Sequence, residues 1–294
     1  MRHVLNSMVA AALAGAPAAA TQAQPAGNTR VANPLPAASP WRLDHGAERC
    51  ELARTFGAGT DAITLYLRQS APGQFFDLTL AGAALGKPRA AFGTKARYGT
   101  LEQREFKDSA WVALANDGRP ALLLGRNTFS EWDNAGKRWV LATPEVLKTI
   151  AKLEFDIPRA APLALITGPM DKPMAALAGC MEAMVTRWGF EPGRQATLAK
   201  QAAPLNSPGK WIAPADYPGA LGRQGQGALL DLRLVIAANG AIESCTIQNA
   251  VGDADFAKLT CDAIMRRARF SPALDASGSP VRSLYFNSAR FETR

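Results

Sequence analysis

Residues 228–251 read ALLDLRLVIAANGAIESCTIQNAV, and the order of apolar and polar positions in this stretch decides the fold of the C-terminal part. Ala228, Leu230, Leu232, Leu234 and Ile236 recur at every second position, which places them on one face of a strand with Asp231 and Arg233 on the other. The alternation stops at Asn239-Gly240, a pair that tolerates the positive φ of a tight turn, so a second strand over 241–248 is expected to return antiparallel. Beyond Gly252, Asp253 can cap a helix over 254–267. Ala257, Cys261, Ile264 and Ala268 are spaced for the inner face of that helix, and Arg266, Arg267 and Arg269 sit at its negative end. Phe270-Ser271-Pro272-Ala273 ends it, Gly278 lies in a loop, and 281–291 forms a last strand.

Upstream, residues 191–213 mix Pro, Gly, Ala and Gln without a sustained period and read as an interdomain linker. Residues 41–190 read as a strand-rich domain. Ile63, Leu65 and Leu67 alternate with polar neighbours, Phe76, Leu78 and Leu80 repeat the pattern after Pro72-Gly73, and Asp117-Gly118 signals a hairpin between 111–115 and 121–124. Two helices follow, one opened by Thr143-Pro144-Glu145 and one over 171–188 with Leu177, Cys180, Met181, Met184, Val185 and Trp188 on a single stripe. Residues 24–40 are rich in Pro, Ala and small polar residues and read as a disordered lead-in. Residues 1–23 have a positive start, an apolar core shorter than a membrane span and small residues near the end, the pattern of a cleaved signal peptide. The expected location is the periplasm.

In an oxidising compartment the four cysteines are expected to form two disulfides. Three connectivities are possible, and the domain boundaries favour Cys50 with Cys180 and Cys245 with Cys261. The formal net charge of +8 suits acidic partners, but the Lys and Arg residues are scattered and form no run, which argues against nucleic acid.

Enzyme chemistry finds little support. His45, beside Asp44, is the one histidine outside the signal segment, and it reads as a surface or capping residue. Gly57-Ala58-Gly59 lacks the lysine and strand-to-helix setting of a phosphate loop, and Asp253 with Asp255 reads as a cap and a first-turn acid. No metal or cofactor is expected.

From Tyr217 onward the order strand, strand, helix, strand is joined by Tyr217-Pro218 at entry, Gly227 before the first strand, Gly240 in the hairpin and Gly252 before the helix. The run ARFSPA at 268–273, with Phe270 and Pro272, and a closing strand ending at Phe291 complete the set. Together these resemble the C-terminal domain of TonB over residues 214–292; the domain itself is taken as 214–294. The resemblance implies a three-stranded antiparallel sheet covered on one face by the helix, so that the whole chain is α+β. It also implies β-strand addition: in the family, a short segment of an outer-membrane transporter adds beside the last strand. On this chain the matching partner-binding residues are Val281, Arg282, Ser283, Leu284, Tyr285, Phe286, Asn287 and Ser288. The transducers of the family carry a membrane helix and a Pro-rich spacer where this chain has a signal segment and a folded domain. An envelope-binding or structural module without energy transduction is therefore kept beside the transporter reading. A homodimer through the last strand and, least favoured, a periplasmic enzyme with its site in the first domain are kept as well.

Overall fold

The first strands alternate as the sequence dictates, and their apolar positions meet in one core. The computed structural model describes residues 33–86, 93–106, 111–115, 117–158 and 160–292. The signal segment expected at 1–23 and residues 24–32 of the expected lead-in lie outside the described residues. Six strands form an antiparallel sheet in the order Arg42–His45, Cys50–Phe56, Ile63–Gln69, Phe76–Ala81, Pro120–Asn127, Trp111–Leu114. Leu52, Leu67 and Leu78 stand side by side in one cross-strand row and are buried. Against this face lies a five-stranded sheet whose Leu153, Phe155 and Leu165 join the same core.

Helix α1, Pro144–Thr149, opens where expected: the Thr143 side chain accepts from the Val146 amide, and Pro144 takes the first turn. Helix α2, Asp171–Arg187, buries Leu177, Cys180, Met181, Met184 and Val185. Cys180 on that stripe is bonded to Cys50 in the strand Cys50–Phe56, with Cα atoms 6.1 Å apart.

Part of the expected lead-in is folded. Pro34–Leu35 pairs in parallel with Leu163–Ile166, Ala37 bridges to Phe56, and Arg54 donates to the Ser39 carbonyl at 2.8 Å. Main-chain pairing needs no side-chain periodicity, which is why composition alone misread this segment. The segment expected as a linker is not an extended tether either. It holds helix α3, Pro192–Ala196, and a two-residue strand, Ala203–Pro204, paired with Phe270–Ser271. Its Trp211 is 1% exposed between Phe270 and Tyr285, with its indole N–H donating to Asn206 at 3.0 Å. A single large aromatic is enough to seat such a segment, and it leaves no periodic trace.

After helix α4, Gly219–Arg223, the C-terminal sheet runs in the order Ile242–Val251, Ala228–Ile236, Ser283–Phe291, antiparallel throughout. Helix α5, Ala254–Arg267, is capped by the Asp253 side chain accepting from the Asp255 amide and covers one face. Its buried positions are Phe256, Thr260, Ala263 and Ile264, so that of the expected stripe Ile264 and, at the cap, Ala268 are buried. Ala257 and Cys261 sit half-buried at its flank because the large Phe256 ring takes the inward direction. Cys261 still reaches the sheet and is bonded to Cys245.

Several residues that carried the resemblance converge. Tyr217, Phe256 and Phe291 form a three-ring cluster with centroids 4.7 to 5.7 Å apart. Gly252 has φ +122°, and a Cβ there would lie 2.7 Å from the Gly227 carbonyl oxygen and 2.8 Å from Ala228 Cβ, so only glycine fits. Gly240, φ +83°, makes the hairpin turn and would strike the Phe270 carbonyl with any side chain.

The described residues fall within one compact unit, and the second face of the C-terminal sheet packs on the first domain. Arg233 is buried there, ion-paired with Glu48 at 3.0 Å and stacked over Trp188 at 4.0 Å. Two polar rows also meet. In the six-stranded sheet, Glu51, Arg68, Asp77 and Arg126 are successive cross-strand partners, an alternating ladder of charge. In the C-terminal sheet, Asn249, Asp231 and Ser288 form the facing row, joined by Asn249 and Ser288 donating to Asp231 at 3.1 and 2.8 Å. Arg68 bridges the rows, bonded to Glu51 at 2.6 Å and to Asn249 at 3.3 Å. Burial and the neighbouring Asp231 carboxylate push Asp77 up to about 7, against the pull of Arg68 and Arg126.

Candidate functional site

The closing strand, Ser283–Phe291, is held by a full ladder on one side only. Every residue from Ser283 to Phe291 is in register with Ile236 to Ala228, and among the described residues no other strand lies on its far side. Its side chains divide by parity. Tyr285 points to the helix side, against Trp211 and Phe270, and Phe291 joins the ring cluster beneath α5. Leu284 and Phe286 point to the first domain, Leu284 among Val185 and Val235, and Phe286 with its ring 6.0 Å from that of Trp188. The large apolar side chains of both sets are engaged within the chain, so what the strand chiefly offers a partner is its main chain.

The outward groups can be assigned from one contact. The Leu284 amide donates to Gln195 Oε1 of α3 at 3.1 Å, away from the sheet. Strand geometry turns alternate residues the same way, so the N–H and C=O groups of Phe286 and Ser288 also face outward. Among the described residues, neither the Phe286 nor the Ser288 amide has a hydrogen-bond partner. Two consecutive outward residues are enough to begin a ladder with an incoming strand. Phe286 to Ser288 also line a crevice of about 50 Å³ shared with Ser70, Phe75 and Arg126, and Arg126 stacks over the exposed Phe75 ring at 4.5 Å. An incoming strand therefore meets an aromatic and a cation beside the edge.

Of the residues expected to bind a partner, Ser283 to Ser288 lie on this edge strand. Val281 and Arg282 do not. Pro280–Val281 pairs instead with Ala273–Leu274, and Arg282 is ion-paired with Glu243 at 2.6 Å and stacked over Phe190. The strand breaks there because the chain must turn out of the small ladder before entering the large one. Gln195 was invisible in the sequence, since it sits in a segment without a period.

The residues weighed for catalysis are dispersed. His45 is an exposed strand residue opposite Cys50, Gly57 and Gly59 flank a short turn at positive φ, and Asp253 caps α5. Among the described residues, no group of three or more His, Cys, Asp or Glu is placed to hold a metal ion. No described helix is long and apolar enough to cross a membrane.

Residues 213–293 match the model of the Gram-negative bacterial TonB protein C-terminal family. No curated protein matches the chain.

Proposed function

With a TonB-type domain at its C-terminal end, we propose that this chain is an interaction protein of the bacterial envelope, placed in the periplasm. It takes up an extended segment of an outer-membrane transporter, or of another envelope protein, beside the closing strand. The observation that carries this reading is the pair of outward amides at Phe286 and Ser288, without a partner among the described residues, on an edge strand whose apolar side chains are already engaged. Main-chain ladder bonds supply the attraction, and Phe75 and Arg126 beside the edge favour a segment with an apolar and an acidic residue. The reading is of a binding protein and not of an enzyme.

Proline at position 288 tests it. The Ser288 N–H faces away from the sheet, so Ser288→Pro removes an outward donor and the hydroxyl bond to Asp231 but no main-chain ladder bond, and Ser288→Ala, which loses the hydroxyl alone, is the control. A photo-crosslinking residue at position 290 in intact cells is expected to capture an outer-membrane protein, with the yield falling about tenfold when Ser288→Pro is added. Capture confined to inner-membrane proteins or peptidoglycan, or an unchanged yield with proline, would sink the transporter reading.

The Gln195 contact favours a second reading, a structural module whose edge is kept closed by its own chain. Gln195→Ala separates the two: capture rises several-fold if the edge is a docking strand and stays at background if it is not.

A further inference from the structure

A groove in the first domain combines an apolar wall with uncompensated positive charge, and it does not depend on the edge-strand reading. It runs between the start of α2 and the strands Arg42–His45 and Cys50–Phe56, and its volume is about 780 Å³. Trp41, the cross-strand pair Leu43 and Leu52, and Ala176 of α2 form the apolar wall.

Arg54 lines the same groove. Its guanidinium stacks over the Trp41 ring at 5.6 Å and is fixed by two main-chain acceptors, Nε donating to the Ser39 carbonyl at 2.8 Å and Nη1 to the Thr167 carbonyl at 2.7 Å. The remaining nitrogen, Nη2, has no hydrogen-bond partner among the described residues and is not sealed from solvent, so a ligand atom can reach it. Burial lowers the Arg54 pKa from its ordinary value, and no carboxylate raises it back. A half-buried cation in this state is costly, and an anion at Nη2 would relieve it.

Two exposed cations, Lys148 of α1 and Lys172 of α2, add to the lining. Asp171 in the lining and Glu145 beside Lys148 offset two of the three charges, so a net positive charge remains. One free guanidinium nitrogen and a small net charge suit a singly charged head, a carboxylate in preference to a phosphate dianion.

We propose that this groove binds a small amphiphilic carboxylate, its chain lying along Trp41, Leu43, Leu52 and Ala176 and its head accepting from Arg54 Nη2, with Lys148 and Lys172 supplying further positive charge. Small-molecule sites are concave and mostly apolar, with volumes of about 300 to 1,000 Å³, and set their selectivity with few polar groups.

The probes are octanoate, 1-octanol and octyltrimethylammonium, which share a chain and differ in the head. They are titrated below micelle-forming concentrations into the full chain and followed by the NMR signals of the Trp41 indole and the Ala176 methyl. Octanoate is expected to saturate both signals and to bind about tenfold tighter than octanol, the difference of one charge-assisted hydrogen bond, while octyltrimethylammonium does not saturate. Lys148→Glu with Lys172→Glu is expected to weaken octanoate about tenfold and leave octanol unchanged. Arg54→Gln, which removes the charge, is expected to erase the preference for octanoate; should it fail to fold, the lysine pair decides. Ala176→Phe, at an exposed helix position, is expected to block both ligands. Equal affinity for octanoate and octanol, saturation by octyltrimethylammonium, octanoate binding untouched by the lysine pair or by Ala176→Phe, or binding of phosphatidylglycerol vesicles without saturation by octanoate would each overturn the proposal.

Discussion

Replacing Cys50 and Cys180 together by alanine is expected to cost about 5 kcal/mol of unfolding free energy, the largest stability effect among the changes considered. The bridge joins residues 130 apart in sequence, and the chain-entropy model scales its effect with the logarithm of that loop. Cys50 lies in the strand Cys50–Phe56 and Cys180 on the buried stripe of α2, so the bond holds helix to sheet across the core. For a chain of this size the loss should appear as a fall of roughly 10 to 20 °C in the calorimetric midpoint. The pair Cys245 and Cys261, only 16 residues apart, should cost about 3 kcal/mol by the same reasoning. If the short bridge proves more costly than the long one, loop closure is not what these bonds contribute here.

Asp77 should make stability fall as pH rises from about 4 to about 7. Its folded-state value is raised from the ordinary 3.8 to about 7, by burial first and by Asp231 second. Below pH 4 folded and unfolded chains both hold the proton, and the interface keeps its full stability. As pH rises the unfolded chain releases the proton first, so the folded state binds more protons and loses ground until Asp77 itself ionises near 7. The displacement corresponds to up to about 4 kcal/mol, and the loss is complete above pH 7. Asp77→Asn should flatten the slope and be more stable than the parent at pH 8, as read from urea unfolding across pH 4.5 to 8. Asp231→Asn should keep most of the slope, because burial is the larger cause. A parent chain with no slope in this window, or a variant with the same slope, would refute the assignment.

What the sequence made legible was whatever has a period. The alternation at Ala228 to Ile236, the Asn239-Gly240 turn, the cap at Asp253 and the stripe from Leu177 to Val185 were all readable, because each follows from local geometry of one element. What it hid was cross-element register. Glu51, Arg68, Asp77 and Arg126 are scattered charges until the sheet aligns them, and Asp231 becomes their neighbour only when two sheets pack. The site divides in the same way. The edge strand was legible from Ser283 to Phe291, but its break at Arg282 and its partial closure by Gln195 depend on chain paths that composition does not encode.

The seat of Trp211 has a bearing on how the C-terminal part can be handled as a fragment. A cut at residue 213, where the family match begins, would remove a ring that fills the space between Phe270 and Tyr285 and would uncover Val235 and Leu284. Such an excised piece would display apolar surface on two sides and tend to aggregate. The smallest piece that can be handled in isolation is therefore set by the neighbours of the matched segment and not by the match itself.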